Sequence, residues 1–451
     1  MDALPTKAWE DIAILHKGVY NKNMYIQKET NMTQVMTILP GVILRCFSDT
    51  RFKQGCLSIQ LIRKMCREEA SLNALLPAVL LRGTVHSPDL RDITLRLDDL
   101  YGASVGALVR RVGDYQTTGL TCNFIEDRYA LAGDQILEPM IRFLGELLLE
   151  PVLENGGFRR DYVESEKKNL IAAIEAQRND KRVYASAQLL RHMCREDSFG
   201  IPRLGEKQQV LQIDAFGAYN HYCKILRESP IELFYVGSGA PEKVAALLKG
   251  LFERIDRNYA ELPAQTAFVG GREGQYTETM EVAQGKLAMG FVTPVTIRDP
   301  GFVAMQVCNT LLGAGMTSKL FMQVREKLSL CYDISSGYHG SKGILTVQAG
   351  IDCNKECLVR EEILLQLEAC CLGRITPEEL EAAKESICAS LQGTHDSPGA
   401  IEGYYASGAL SGLKMTPGEY AEAVRALTVE QVAAAARTLK LHTVYFLKGV
   451  E

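Results

Sequence analysis

The stretch Gln54–Ile59, QGCLSI, recurs in a related form at Gln284–Met289, QGKLAM. Each copy has the pattern of an opening strand, and each is followed by a helical stretch and a turn. Similar segments that return in the same order indicate a repeated structural unit. We therefore expect the chain to contain two copies of one unit.

The same order of elements continues in both halves. Alternating, β-branched runs predict paired strands at Ala103–Arg110 with Thr117–Phe124, and at Cys331–Tyr338 with Gly343–Ile351. Two long amphipathic helices follow in each half, and a further helix and an apolar strand close it. The long helices are predicted at Ile136–Leu149, Tyr162–Arg178, Leu358–Cys371 and Pro377–Leu391. This order predicts an α+β fold of two similar domains, each an antiparallel-rich sheet packed with helices.

The length of the chain also favours two domains. Its 451 residues exceed what a single hydrophobic core usually supports. The predicted boundaries are residues 1–255 for the first domain, 256–274 for a linker and 275–451 for the second domain. Pro263 and a glycine pair within the linker are typical of an exposed connection.

Composition argues against several classes of protein. With 47% hydrophobic and 23% charged residues, the chain has the make-up of an ordinary globular protein. Its net charge of −5 and the lack of a dense Lys/Arg cluster argue against nucleic acid as a partner. The 13 cysteines lack paired spacings, so we expect free thiols in a cytoplasmic protein rather than a disulfide framework.

Targeting and membrane segments are not expected. Met1–Pro5 lacks a basic region followed by an apolar core, so the sequence does not predict a signal peptide. No window reaches the roughly 18–20 uncharged apolar residues that a helix needs to span a bilayer. These observations predict a cytoplasmic protein with no membrane partner.

A collinear series of segments resembles the insulinase and mitochondrial processing peptidase family over nearly the whole chain. The segments are Leu100–Ser104, Phe143–Leu148, Glu164–Lys168, Asp180–Ala185 and Met193–Cys194. None of them is a strict signature, and their shared order carries the match. The resemblance is to members of Gram-positive bacteria that lack the zinc motif, and it implies that both predicted domains have the processing-peptidase-like fold.

In this family, the members that cleave peptides carry an H-x-x-E-H helix that binds zinc, with its glutamate as general base. The resemblance, anchored on Arg82–Thr84, places the first histidine at Ala74. It places the glutamate at Pro77, the second histidine at Ala78, and a later glutamate ligand at Ala172. None of the seven histidines of the chain has a Glu-His partner at this spacing. Alanine and proline side chains donate no lone pair, so we expect no metal site and no catalytic residue in this chain.

The second half keeps the family's other motif. In the family, an arginine and a tyrosine seven residues apart reach the substrate carbonyl beside the zinc, and here they are Arg325 and Tyr332. Guanidinium and phenol donors suit this role because they hydrogen-bond an oxygen on which negative charge builds. A glycine-bearing turn, Leu312–Ser318, precedes the pair as it does in the family. Without the resemblance, Arg325 would be interpreted as part of a solvated helix face and Tyr332 as an ordinary strand residue.

The resemblance implies a non-catalytic subunit that supplies Arg325 and Tyr332 to the zinc site of a partner subunit in peptide processing. Zinc is then expected on that partner, with no cofactor in this chain. The substrate is expected to be an extended peptide that adds a strand near Ala103–Arg110. A homodimer is an option when the partner is missing.

Two other functions stay open. One is a peptidase-derived binding or scaffold protein, accessory to the modification of elongation factor P, with no proteolytic role. The other is hydrolysis through an unrelated metal site. In neither the leading hypothesis nor the scaffold hypothesis does the chain hydrolyse peptides alone.

Overall fold

The computed structural model describes residues 33–449. The expectations for Met1–Pro5, and the histidine His16, lie outside the described residues. None of the helices between residues 33 and 449 is long and apolar enough to cross a membrane.

The first half is built on a six-stranded sheet with the order β1-β2-β8-β3-β5-β4. Its strands are β1 (Thr33–Leu39), β2 (Val42–Ser48), β3 (Gln54–Lys64), β4 (Ser104–Val112), β5 (Tyr115–Ile125) and β8 (Ile231–Gly237), with a small separate pair, β6 (Leu153–Glu154) and β7 (Gly157–Phe158). Its helices are α1 (Arg67–Leu80), α2 (Leu90–Asp99), α3 (Leu137–Leu149), α4 (Arg160–Asn179), α5 (Lys181–Met193), α6 (Lys207–Gln212), α7 (Ala215–Glu228) and α8 (Pro241–Phe252).

The second half is built on a five-stranded sheet with the order β11-β12-β10-β13-β9. Its strands are β9 (Gly274–Met280), β10 (Gly285–Val292), β11 (Cys331–His339), β12 (Ile344–Ile351) and β13 (Lys440–Gly449). Its helices are α9 (Phe302–Leu312), a π-helix (Leu320–Lys327), α10 (Glu356–Cys371), α11 (Pro377–Gly393), α12 (Pro398–Ser411), α13 (Pro417–Arg425) and α14 (Val429–Ala436).

The two sheets share one topology. The run β2-β8-β3-β5-β4 corresponds strand by strand to β9-β13-β10-β12-β11, and β1 is an addition at one edge. In both sheets the closing strand runs parallel to one neighbour, and the other pairs are antiparallel. The prediction of an α+β fold with two similar, antiparallel-rich units is therefore confirmed. The four long helices and the strand pairs predicted from the sequence lie within one or two residues of the observed elements.

Each half covers the sheet of the other half with one helix. Helix α5 of the first half packs against β10 and β13 of the second sheet, where Leu189 is buried with Tyr445. Helix α12 of the second half packs against β3 and β8 of the first sheet, where Ile401 is buried with Phe234. Burial of these side chains stabilises the arrangement only while both halves are folded.

The turn between β11 and β12 is tied to the first half by a buried lysine. Lys342, which is fully buried, lies 2.8 Å from the carboxylate of Asp114 and 2.9 Å from that of Asp197. The linker takes part in this junction, because the backbone N–H of Thr266 donates to Asp114 and Gln265 donates to backbone carbonyls of both halves. The expectation of an exposed linker is therefore wrong at Gln265, which is only 8% exposed.

Candidate functional site

The three zinc-motif positions of the first half all lie on helix α1. Ala74 and Pro77 are buried, and Ala78 is half-buried. Pro77 lines a small, mostly apolar cavity together with core residues that include Leu61 of β3 and Ile225 of α7. Where an active relative would present ligands, this chain therefore presents apolar side chains to its own core.

A proline inside α1 removes one helical hydrogen bond, and the fold replaces it. Pro77 has no N–H, so the carbonyl of Asn73 has no donor within the helix. The hydroxyl of Thr118, on β5, donates to that carbonyl at 2.6 Å and is itself buried. Because an unpaired buried carbonyl costs free energy, this contact makes the proline tolerable in the helix interior.

The side chain of Asn73 belongs to a buried polar network beneath α1. It donates to Gln116 at 2.9 Å, and its carbonyl oxygen lies 2.7 Å from Nε2 of His221, on α7. Burial lowers the pKa of His221 to about 4, so the imidazole is neutral near pH 7. This histidine therefore contributes to the buried network of the core.

Ala172 does not share the environment of the other three positions. Helix α4, which carries it, packs against α1, yet Ala172 itself is exposed. The nearest polar link between these segments runs from Arg82 to Glu166 at 3.4 Å. The four positions that the resemblance assigns to a zinc site therefore do not form one pocket lined by donors.

Zinc does not fit the residues present. Ala74, Pro77, Ala78 and Ala172 offer no side-chain donor atom to a metal. Within residues 33–449, no group of three or more His, Cys, Asp or Glu side chains is placed to hold a metal ion. The chain's own residues therefore supply no zinc chemistry at this helix.

The second half places Arg325 on an uncommon type of helix. Residues Leu320–Lys327 form a π-helix, anchored by the buried side chains of Leu320 and Val324. The guanidinium of Arg325 lies 4.5 Å from the centre of the Phe321 ring and 3.6 Å from the carboxylate of Glu326. Its side chain is 40% exposed. π-Helical turns are rare and occur frequently at functional sites.

Two further irregularities lie between Arg325 and Tyr332. Ser329 has φ of 51°, a left-handed conformation that non-glycine residues rarely adopt. The pairing of β11 with β12 shifts between Cys331 and Asp333, which makes Tyr332 the extra residue of a β-bulge. Bulges redirect side chains and are common next to active sites. Strain of this kind favours a functional role for the segment.

The bulge turns the phenol of Tyr332 outwards. Its side chain is 58% exposed, and its hydroxyl donates to Oδ1 of Asp352 at 3.2 Å. Lys355 pairs with Oδ2 of the same carboxylate at 2.9 Å. Hydrogen bonds from Lys355, first, and from Tyr332 lower the pKa of Asp352 below its ordinary value, so it is a carboxylate at neutral pH.

Arg325 and Tyr332 share one open pocket of about 340 Å³. The other residues that line it are Glu326, Ser329, Leu330, Cys331, Asp352 and Lys355, all from the second half. The pocket combines two cationic and two anionic side chains with one phenol. These side chains can hydrogen-bond the carbonyl and N–H groups of a peptide. The pocket contains no nucleophile with a lowered pKa, because burial raises the pKa of the Cys331 thiol to about 11.

Comparison with known proteins places this geometry in context. A family model described as "Peptidase M16 inactive domain" matches residues 218–387. The "Probable inactive metalloprotease YmfF" of Bacillus subtilis (strain 168) is 28% identical over 411 residues, which cover 91% of this chain and 96% of that protein.

Solved structures have the same fold. A conserved protein from Enterococcus faecalis V583 superimposes with a TM-score of 0.87 at 27% identity, covering 93% of this chain and 99% of that one. A "peptidase M16 inactive domain" from Pseudomonas fluorescens gives a TM-score of 0.78 at 17% identity, covering 93% and 98%, and at that identity it bears on the fold alone.

Proposed function

Because this chain belongs to the peptidase M16 family, as an inactive, metalloprotease-like member, we propose that it is a non-catalytic subunit of a heteromeric peptidase. In this proposal, Arg325 and Tyr332 bind the substrate at the zinc site of a separate, zinc-bearing relative. The chain itself carries no zinc, and its first half contributes a wall of the substrate chamber.

One observation carries the proposal: the Arg325–Tyr332 segment remains exposed and irregular although the zinc helix has become part of the core. An exposed pair with no function would be expected on a regular helix and a regular strand, where backbone strain is absent. Here a π-helix, a left-handed serine and a β-bulge together aim both side chains into one pocket.

The pair suits the stabilisation of a carbonyl oxygen. Arg325 is 40% exposed and its ion pair with Glu326 is long, at 3.6 Å, so its guanidinium is available to a further acceptor. The hydroxyl of Tyr332 can turn about its C–O bond from Asp352 towards a bound peptide. Loss of one such donor typically lowers kcat by about 100- to 1,000-fold in enzymes that stabilise an oxyanion.

Strand β4 is the proposed site for an extended peptide, because it is an edge of the first sheet. The N–H of Ala103 donates to Leu97, and the carbonyl of Val109 accepts from Arg203 at 2.7 Å. Both groups point away from β5, and since backbone groups of alternate residues point the same way, those of Val105 and Ala107 also face the edge. A peptide can add a strand along this short stretch.

The test mixes the purified full-length chain with a zinc-bearing M16 relative encoded in the same genome. Cleavage of a fluorescein-labelled, oxidised insulin B chain is measured for each protein alone and for the mixture. The proposal expects cleavage to rise in the mixture and to fall with Arg325→Ala or Tyr332→Phe. Lys327→Ala and Tyr129→Phe, which change exposed residues outside the pocket, serve as matched controls.

The possible results separate the candidate functions. Zinc and cleavage in the chain alone would contradict the proposal. A mixture no more active than the relative by itself would favour the scaffold function instead. Equal loss of activity in the control variants would show that the effect does not depend on Arg325 and Tyr332.

A further inference from the structure

The hydroxyl of Tyr332 can donate one hydrogen bond, and in this structure Asp352 accepts it. The O–H donates to Oδ1 of Asp352 at 3.2 Å, while Lys355 occupies Oδ2 at 2.9 Å. A phenol can donate only one hydrogen bond at a time. A peptide carbonyl that needs the same proton must therefore displace the carboxylate.

The position of Asp352 is fixed by the fold. It follows the last residue of β12, Ile351, which pairs with Cys331 beside the bulge. The N–H of Lys355 donates to the carbonyl of Asp352 at 2.9 Å, which closes the turn before α10. The carboxylate is thus held next to Tyr332 by the sheet and by the turn.

We infer that Asp352 competes with bound peptide for the hydroxyl of Tyr332, and that Lys355 weakens this competition. The inference rests on the proposed function and adds a means of regulating that site. A carboxylate accepts hydrogen bonds more strongly than a peptide carbonyl does. The ion pair with Lys355 partly neutralises the Asp352 carboxylate. This carboxylate therefore binds the Tyr332 hydroxyl less strongly, and a peptide carbonyl can replace it.

Two substitutions should have effects of opposite sign. Asp352→Ala removes the competing acceptor, so the full-length chain should bind fluorescein-labelled, oxidised insulin B chain about 2- to 10-fold more tightly, the range of one hydrogen bond. Lys355→Ala leaves the carboxylate free to hold Tyr332, so binding should weaken. General damage to the site would weaken binding in both variants. The readout is the Kd from fluorescence anisotropy.

Control variants identify the residue through which Asp352 acts. In a Tyr332→Phe background, both effects should disappear, because no hydroxyl remains to be shared. Asp333→Asn is a matched control, since Asp333 lies next to Tyr332, is 42% exposed as Asp352 is, and pairs with Lys286 instead. Its Kd should equal that of the wild type.

A second measurement does not depend on peptide binding. In a ¹³C NMR titration of the aspartate carboxyl groups, Tyr332→Phe should raise the pKa of Asp352, because the hydroxyl stabilises the carboxylate. Lys355→Ala should raise it further, since Lys355 is the larger cause of its lowering.

The outcomes separate this inference from the function on which it rests. An unchanged titration in Tyr332→Phe, or binding that weakens in Asp352→Ala, would overturn the competition alone. No binding by any variant, together with an inactive mixture, would overturn the proposed function and this inference with it.

Discussion

Helix α1 around Ala74–Ala78 and the segment from Arg325 to Tyr332 are in opposite environments. In α1, the positions of the two zinc-binding histidines hold alanines and the position of the general base holds a proline, and these residues are mostly buried against the core. In the other segment, two polar side chains remain in solvent on a strained backbone. The first region contributes to stability, whereas the strained backbone of the second costs stability.

Under the proposed function, this difference is what lets a chain without hydrolytic residues bind a substrate. In α1, the hydroxyl of Thr118 donates to the carbonyl of Asn73 and so replaces the hydrogen bond that Pro77 removes. No comparable repair surrounds Tyr332, whose hydroxyl is held by an exposed carboxylate. Substitutions in the two regions should therefore affect different properties, and the following predictions run from the largest expected change in folding free energy to the smallest.

Restoring the zinc motif should unfold the protein rather than activate it. The triple variant Ala74→His, Pro77→Glu, Ala78→His places polar groups in the packed core without partners, at a cost of about 3 kcal/mol or more. Urea unfolding followed by circular dichroism measures the loss. Ala172→Glu, at an exposed position, should change stability by less than about 0.5 kcal/mol. A stable triple variant that binds zinc would contradict the account of α1.

Acid should destabilise the protein through the buried network beneath α1. His221 has a pKa of about 4 when folded, below its ordinary value of 6.5, so the unfolded chain binds the extra proton between these values. Stability from this group is complete above pH 6.5 and is lost as the pH falls towards 4, by about 3 kcal/mol.

His221→Gln should reduce this dependence without abolishing it, because burial also lowers the pKa of His339 to about 4. Unfolding free energies of both proteins between pH 4 and 8 provide the test. Identical slopes for the two proteins would show that His221 is not the group that titrates.

Thr118→Val should destabilise the protein by about 1–3 kcal/mol, because it leaves the carbonyl of Asn73 buried and unpaired. In a Pro77→Ala background the loss should be much smaller, since residue 77 then supplies the N–H. Thermal unfolding of the wild type, the two single variants and the double variant gives the coupling free energy between Thr118 and Pro77. Equal losses in both backgrounds would mean that the hydroxyl does not compensate for the proline.

Arg325→Ala and Tyr332→Phe should leave folding almost unchanged. The Tyr332 side chain is 58% exposed and the Arg325 side chain 40% exposed, and neither belongs to the core, so each change in stability should be within about 0.5 kcal/mol. The same thermal unfolding experiment measures it. A loss of several kcal/mol would show that the pair supports the fold and is not free to bind a substrate.

The sequence predicts the elements well where one physical signal decides them. Apolar periodicity locates α3, α4 and α10, and α11 begins at Pro377 as predicted, behind a capping box formed by Thr376 and Glu379. The repeat predicts two similar units, which the strand orders confirm. These features depend on residues close in the chain.

The details that matter for the site depend on contacts between distant residues. Nothing in the local pattern of Leu320–Lys327 distinguishes a π-helix from an α-helix, and the bulge at Tyr332 appears only when β11 pairs with β12. The sequence does not predict a role for Asp352 for the same reason, since it is 20 residues from its partner Tyr332. Likewise, the sequences of α5 and α12 do not predict that each helix packs against the sheet of the other half.

The most direct test of the proposed role of Tyr332 is to find what position 332 contacts when the chain is mixed with a zinc-bearing relative. A photoreactive p-benzoylphenylalanine at position 332 is irradiated in the presence of the zinc-bearing relative, and the cross-linked peptides are identified by mass spectrometry. If Tyr332 reaches the zinc site of the relative, cross-links should form to the peptide of the relative that contains its H-x-x-E-H motif. Cross-links only within this chain, or to a partner surface remote from that motif, would contradict it.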